Sequence, residues 1–153
     1  MDLPKISVII PTKNAGRWLR LSLKSILMQD YPKDKVEVIT VDAYSRDNTR
    51  QIAKSLGCTV ITSDKPPLGA RYEGLKKATG EIVLLLDSDH IIRRKTLFKE
   101  IYQLLSSKYD MLHLHEVTFN PRTLVQKLIA ADKETMQLIS KYFDPLKGVL
   151  YPR

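Results

Sequence analysis

Short apolar runs alternate with amphipathic segments along most of the chain. Residues 8–10 form a compact apolar run typical of a buried strand, and residues 16–29 repeat apolar positions at helical spacing. The same order recurs, with strands predicted over residues 36–41, 58–62 and 82–86 and helices over residues 45–56, 68–79 and 96–107. This alternation predicts an α/β fold, with a mostly parallel sheet flanked by helices.

Several finer expectations follow from the same pattern. The run over residues 82–86 is the most hydrophobic of the chain, which predicts a strand buried on both faces. Asn14 is expected to cap the first helix and Gly57 to end the second, while Trp18 is expected to be a packing residue. A further strand over residues 110–117 and a long helix over residues 122–143 complete the predicted elements.

Length and composition predict a single globular domain. The chain has 153 residues, of which 43% are hydrophobic and 27% are charged. Its longest apolar run, residues 82–86, is far shorter than the roughly 20 residues of a membrane-spanning helix. The first residues do not resemble a secretory leader, and the single Cys58 is typical of a reducing compartment. We therefore expect a cytoplasmic protein.

The charge is basic and uneven. The net charge is +8, of which +3 falls in residues 1–90 and +5 in residues 91–153. There is no run of five like charges and aromatic residues make up only 7%, so no specific nucleic-acid partner is expected. A phosphorylated small ligand or an anionic membrane surface suits this charge as well as nucleic acid does, which extends the expected location to the membrane surface.

Polar clusters follow three of the predicted strands. They are Pro11-Thr12-Lys13-Asn14, residues 42–47 and Asp87-Ser88-Asp89. Parallel sheets bind ligands at the carboxyl ends of their strands, so these clusters are candidate site residues. Two carboxylates at this spacing can hold a hard cation such as Mg²⁺ or Mn²⁺, and Arg71 could add positive charge for a phosphate. The simpler interpretation treats the same residues as helix caps and turn residues, and His90 as a bystander.

The clusters and their flanks resemble the family 2 glycosyltransferases of GT-A fold, a Rossmann-like fold. The blocks that carry the resemblance are residues 7–14, 41–49, 69–71, 78–81 and 85–89, in order over about residues 5–100. The resemblance implies a nucleotide-diphospho-sugar donor bound across the strand ends, and a sugar transferred to an acceptor with inversion. The donor-binding residues it implies are Pro11, Thr12, Lys13, Asn14, Asp42, Arg71, Asp87 and Ser88. Asp87 and Asp89 match the metal motif, so the implied cofactor is Mg²⁺ or Mn²⁺.

The chain departs from the family pattern in two ways. Ala43 stands where many relatives carry a second Asp, which bears on recognition of uracil. The general base that deprotonates the acceptor is expected beyond the chain end, because no tail carboxylate falls in the expected motif; the tail carboxylates are Glu116, Asp132, Glu134 and Asp144. Residues 1–117 are thus expected to form the nucleotide-sugar-binding core. Residues 118–153 are expected to begin a helical acceptor-side region that is incomplete.

The resemblance leaves the acceptor open between a glycan and a lipid-linked molecule. A surface left uncovered by an incomplete acceptor half would favour homo-oligomers. Nucleic-acid binding rests only on the net charge of +8 and is expected to be weak. Two other functions stay open. One is a catalytically incomplete nucleotide-sugar-binding module. The other is a haloacid dehalogenase-like phosphohydrolase, with Asp87 as nucleophile and Asp89 as general acid, although Ile91 stands where that class usually has Thr or Val.

Overall fold

The computed structural model describes residues 2–107, 109–112, 114, 123, 125, 127, 130 and 131. The chain divides into two compact units, Met1–Met111 and Leu112–Arg153, and the fold below is that of the first. Most of the helix predicted over residues 122–143 and all four tail carboxylates lie outside the described residues. The division into a core over 1–117 and an acceptor-side region over 118–153 stays a prediction.

Strands and helices alternate through the first unit. They are β1 (Ile6–Thr12), α1 (Gly16–Leu27), β2 (Val36–Asp42), α2 (Thr49–Ser55), β3 (Thr59–Thr62), α3 (Pro67–Leu75), β4 (Ile82–Leu85) and α4 (Leu97–Ser107), with a short 3-10 turn at Lys33–Lys35. The strands form one sheet in the order β3-β2-β1-β4, and every pairing is parallel. The predicted α/β fold is confirmed. In the part of the chain that the structure describes, no helix has the length and apolar character needed to cross a bilayer.

The strand order fixes the face of the sheet on which each helix lies. The chain moves from β1 to β2 to β3 in one direction and then returns across the sheet to β4. Because such crossovers are right-handed, α1 and α2 cover one face and α3 covers the other. On the second face Gly74 of α3 lies so close to the sheet that an added Cβ would be 2.4 Å from Ile9 Cγ2. This close packing leaves no room for a side chain at that position.

Strand β4 is less buried than its composition predicted. Leu84 and Leu86 are buried, but Val83 is 38% and Leu85 51% exposed. β4 is an edge strand of the described sheet, and α3 packs instead on the central strands, over Ile9 and neighbours of the same face. The prediction of burial on both faces was therefore wrong for this strand.

Other boundaries also differ from expectation. Helix α2 begins at Thr49, four residues later than predicted, because the Ser45 side chain turns back to Asp42. Gly57 has a φ of +76° just after α2, which confirms its predicted role at the helix end. Residues 110–112 and 114 are not in a strand, contrary to the prediction over residues 110–117, of which the others lie outside the described residues.

A cluster of hydrogen bonds centred on the Glu37 carboxylate connects β1, β2 and the turn before β4 at the amino-terminal edge of the sheet. Glu37 of β2 accepts hydrogen bonds from Ser7 Oγ and from the backbone N–H of Thr79, the latter at 2.6 Å, and Lys5 Nζ lies 3.1 Å from it. Partial burial alone raises the pKa of Glu37, but the hydrogen bonds outweigh it and bring the pKa to about 2. Residues 78–81, which carry part of the resemblance, are thus held at the edge opposite the predicted site.

Candidate functional site

Two of the predicted site residues meet where β1 and β2 end. Thr12 and Asp42 are register partners, and Thr12 Oγ1 donates to Asp42 Oδ1 at 3.1 Å. Asp42 is fully buried and also accepts from the Ser45 backbone N–H at 2.8 Å and from Ser45 Oγ at 2.5 Å. Arg50 Nε lies 3.6 Å from Asp42 Oδ2. A buried carboxylate needs such partners, so Asp42 anchors the loop after β2.

The loop after β1 is bound to the loop after β2 rather than to its own helix. Asn14 has a left-handed φ of 48°, its N–H donates to Ser45 Oγ at 2.8 Å, and its Oδ1 accepts from the Arg46 N–H at 2.9 Å. The Asn14 side chain therefore does not cap α1, contrary to the prediction. The Gly16 N–H is instead satisfied by Asp47 Oδ2, at 3.0 Å.

Asp47 joins the starts of two helices. It accepts the N–H of Gly16 and the N–H and hydroxyl of Thr49, and these bonds, that of the Thr49 hydroxyl foremost, lower the pKa of Asp47. An added Cβ on Gly16 would lie 2.0 Å from Asn48 Oδ1, so a larger residue here would displace the Asn48 side chain. These hydrogen bonds hold the two loops together at the carboxyl edge of the sheet. At this edge Lys13 is exposed and Pro11 is partly buried.

Tyr44 stands out in the second loop because it combines exposure with a strained backbone. Its φ is 52°, a conformation that an aromatic L-residue rarely adopts, and 62% of its surface is exposed. Beside it an open groove of about 510 Å³ runs between the end of β3 and α3, lined by residues that include Ser63, Asp64 and Lys65. None of the eight predicted donor-binding residues lines this groove.

A second cluster follows β4. Arg71 Nη2 of α3 donates to Asp87 Oδ1 at 2.5 Å, so the structure brings these two predicted residues together. His90 closes a turn on the same aspartate: its Nδ1 accepts the Asp87 N–H at 3.2 Å, and its Nε2 lies 3.9 Å from Asp87 Oδ2. His90 is therefore part of this cluster and not a bystander. Arg71 Nε is buried without a hydrogen-bond acceptor among the described residues.

The carboxylates leave room for a cation but do not form a closed protein site. Asp87 is 49% exposed at its side chain, Ser88 is partly buried and Asp89 is exposed. Within the described ranges no group of three or more His, Cys, Asp or Glu side chains is arranged to hold a metal ion. Two carboxylates suit Mg²⁺ or Mn²⁺ only when water and phosphate oxygens complete the coordination. The residues fit a metal of that kind.

The position of the site was easier to predict from the sequence than the hydrogen bonds inside it. The roles of Asp47, Ser45 and His90 were not predicted, because each side chain contacts a residue of another loop or across a turn. The one available signal was their position: Ser45 and Asp47 lie within the second polar cluster, and His90 directly follows the third. The predicted donor-binding roles themselves stay predictions.

Comparison with known proteins places the chain in a family. The family model described as "Glycosyl transferase family 2" matches residues 7–131. Poly(ribitol-phosphate) beta-N-acetylglucosaminyltransferase TarS of Staphylococcus aureus is 40% identical over 100 residues, which cover 61% of this chain and 18% of TarS. The Escherichia coli UDP-Glc:alpha-D-GlcNAc-diphosphoundecaprenol beta-1,3-glucosyltransferase WfgD is 30% identical over 92% of this chain and 57% of its own length.

Solved structures of glycosyltransferases are also similar to this chain. TarS 1-349 in complex with UDP-GlcNAc superposes with a TM-score of 0.64 at 30% identity, over 76% of this chain and 38% of that one. The mannosyltransferase PcManGT of Pyrobaculum calidifontis, in complex with GDP-Man and Mn²⁺, gives a TM-score of 0.60 at 33% identity, over 68% of this chain and 33% of that one.

The matched part of the chain thus spans 57% of WfgD, 33% of PcManGT and 18% of TarS. The match to a glycosyltransferase family gives no support to the phosphohydrolase alternative. The parallel sheet, its flanking helices and the GT-A glycosyltransferases among its structural neighbours confirm the predicted fold class. With the family model matched over most of its length, the chain belongs to glycosyl transferase family 2.

Proposed function

We propose that this chain binds a nucleotide-diphospho-sugar in the presence of a divalent cation and forms the donor half of an inverting glycosyltransferase. The observation that carries the proposal is the Arg71–Asp87 pair beside the exposed Asp89 carboxylate, just past the end of β4. A guanidinium and two carboxylates at one edge suit a diphosphate and its counter-ion.

The chain's own residues divide the work of donor binding. Arg71 holds Asp87 before the donor arrives, and its guanidinium can exchange that carboxylate for a phosphate oxygen, with Nε as a donor already lacking an acceptor. Asp87 and Asp89 would hold Mg²⁺ or Mn²⁺, which when bound neutralises charge on the diphosphate leaving group. Asp42 does not contact solvent, so its part is to fix the loop that carries Tyr44 and Ser45.

For the nucleoside, we assign the exposed residues of the first two loops. Lys13 offers a cation and Asn14 a side-chain amide, and Tyr44 offers an aromatic face at the same edge. Ala43 has no carboxylate to recognise uracil, so the aromatic face would carry more of the base contact here.

The acceptor we propose is the hydroxyl of a phosphate-bearing glycan or lipid-linked sugar. TarS and WfgD are named for poly(ribitol-phosphate) and a diphosphoundecaprenol-linked sugar respectively. The net charge of +5 in residues 91–153 is suited to an acceptor of this kind.

Calorimetric titration with UDP-GlcNAc, UDP-Glc and GDP-Man, with and without Mn²⁺, tests the donor site without an acceptor. We expect metal-dependent binding of at least one donor, weakened at least tenfold by Asp89→Asn. Asp34→Asn is the matched control, since Asp34 is an exposed aspartate in the turn before β2, at the opposite edge of the sheet. Binding of no donor, or equal binding by both variants, would contradict the proposal. Binding without any transfer in the presence of acceptor would select the incomplete binding module.

A further inference from the structure

The outer face of α1 combines exposed apolar side chains with cations. Trp18 is 44%, Leu21 50% and Met28, directly after the helix, 58% exposed. Their spacing of three and seven residues places them along one side of the helix surface. Together they give the outer side of α1 an apolar surface that a partner could cover.

The cations on this face have no acidic counterparts on the helix. Arg17, Arg20 and Lys24 are all exposed, and the helix sequence contains neither Asp nor Glu. The acids at the two ends of the helix have other partners: Asp47 accepts from the N–H of Gly16 and of Thr49, and Asp30 pairs with Lys99 at 2.6 Å. The α1 face, defined as Arg17, Trp18, Arg20, Leu21, Lys24 and Met28, is therefore both apolar and positively charged.

We propose that the α1 face docks on an anionic lipid bilayer, with Trp18 and Leu21 at the level of the headgroups. Trp prefers the membrane–water interface, and Lys and Arg beside apolar side chains bind anionic headgroups while their stems lie along the apolar surface. Arg17 already lies over the Trp18 ring, with 4.8 Å between Cζ and the ring centroid.

Charge disfavours a second copy of this chain as the partner of the face. A second copy would present the same three cations to itself across a two-fold axis, and like charges repel. A surface rich in phosphate groups supplies the complementary charge.

Docking through α1 would bring the predicted site to the membrane. The first turn of α1 is bonded to the loop after β2 through Gly16 and Asp47, so the helix start and the carboxyl edge of the sheet lie side by side. A docked α1 would keep that edge near the headgroups, where a lipid-linked acceptor is found. The docking itself needs no donor and does not depend on the proposed transfer.

Trp18 is the single tryptophan of the chain, so its fluorescence reports on this face alone. We expect its emission to shift to the blue, and to become protected from acrylamide, on addition of vesicles of equal parts phosphatidylglycerol and phosphatidylcholine. Phosphatidylcholine vesicles alone should give a much weaker response. Raised salt should weaken the binding, because the cations act through exposed charge.

Variants that keep Trp18 locate the contact. Arg20→Gln should lower the vesicle partition coefficient about fivefold, the usual effect of one cation at an anionic surface. Leu21→Ser should lower it by a similar factor, about fivefold, by removing apolar area. Lys77→Gln is the matched control: it removes an exposed cation just after α3, on the opposite face of the sheet, and should change the coefficient little.

The proposal is overturned if Trp18 emission does not respond to anionic vesicles, or if Lys77→Gln weakens binding as much as Arg20→Gln does. A blue shift that grows with protein concentration in the absence of lipid would point to self-association instead. Calorimetric titration of donors without vesicles, run on the same variants, separates this result from the proposed donor binding, which Arg20→Gln and Leu21→Ser should leave unchanged.

Discussion

Glu37 gives the fold a pH dependence that can be worked out from its contacts. Its carboxylate holds β1, β2 and the turn before β4 together, through Ser7, Lys5, Thr79 and Gly80. The pKa of Glu37 falls from its ordinary 4.5 to about 2, so the folded state binds the ionised form better than the unfolded state does. The contribution is therefore complete above about pH 5 and is lost as the pH falls towards 2.

The full shift corresponds to roughly 3 kcal/mol. Because 21% of the Glu37 side chain is exposed, solvent screens part of this, and we expect about 2 kcal/mol. Urea unfolding of the wild type and of Glu37→Gln, from pH 7 to pH 3, measures the difference directly. The gap between the two should be about 2 kcal/mol at pH 7 and should shrink steadily below pH 5.

Glu81→Gln is the control, since Glu81 is an exposed carboxylate next to the same cluster and should change stability by less than about 0.5 kcal/mol. A gap between Glu37→Gln and the wild type that does not vary with pH would refute the reasoning, because it would mean that shape and not ionisation carries the effect.

Two further changes probe the packing and the loops. Gly74→Ala should lower the free energy of unfolding by about 2 kcal/mol, since its Cβ meets Ile9 on the sheet. Gly57→Asn lies in open space at positive φ and should lower it by under about 1 kcal/mol. Equal losses for the two variants in thermal or urea unfolding would contradict the packing argument. Ser45→Ala removes one hydrogen-bond donor from the buried Asp42 and should lower the free energy of unfolding by about 2 kcal/mol, which chemical unfolding measures. It should also weaken binding of the sugar donor, which calorimetry measures. An unchanged stability would show that Asp42 is held without Ser45.

The element order and the edge of the sheet that carries the polar clusters followed from the sequence, because both depend on local patterns. Buried runs such as residues 8–10 indicate strands by themselves, and parallel strands bring their carboxyl ends together. The strand pattern and the parallel arrangement together place Thr12, Asp42 and Asp87 at one edge of the sheet.

What the sequence could not supply depends on contacts between distant residues. Asp47 satisfies the start of α1 from the next loop, so the local rule that assigned the cap to Asn14 was wrong. Val83 and Leu85 are exposed because strand order places β4 at an edge of the described sheet, and a run of apolar residues does not reveal strand order. Trp18 was expected to pack, yet it lies on the outer face of α1.

The proposed site for the donor diphosphate consists of Arg71, Asp87 and Asp89 with a divalent cation. Titration of UDP with Mn²⁺ into the wild type and Arg71→Gln, followed by the same titration without metal, tests it most directly. We expect Mn²⁺-dependent binding that Arg71→Gln weakens at least tenfold while the variant unfolds like the wild type. Binding that is equally tight without Mn²⁺, or unaffected by Arg71→Gln, would contradict it.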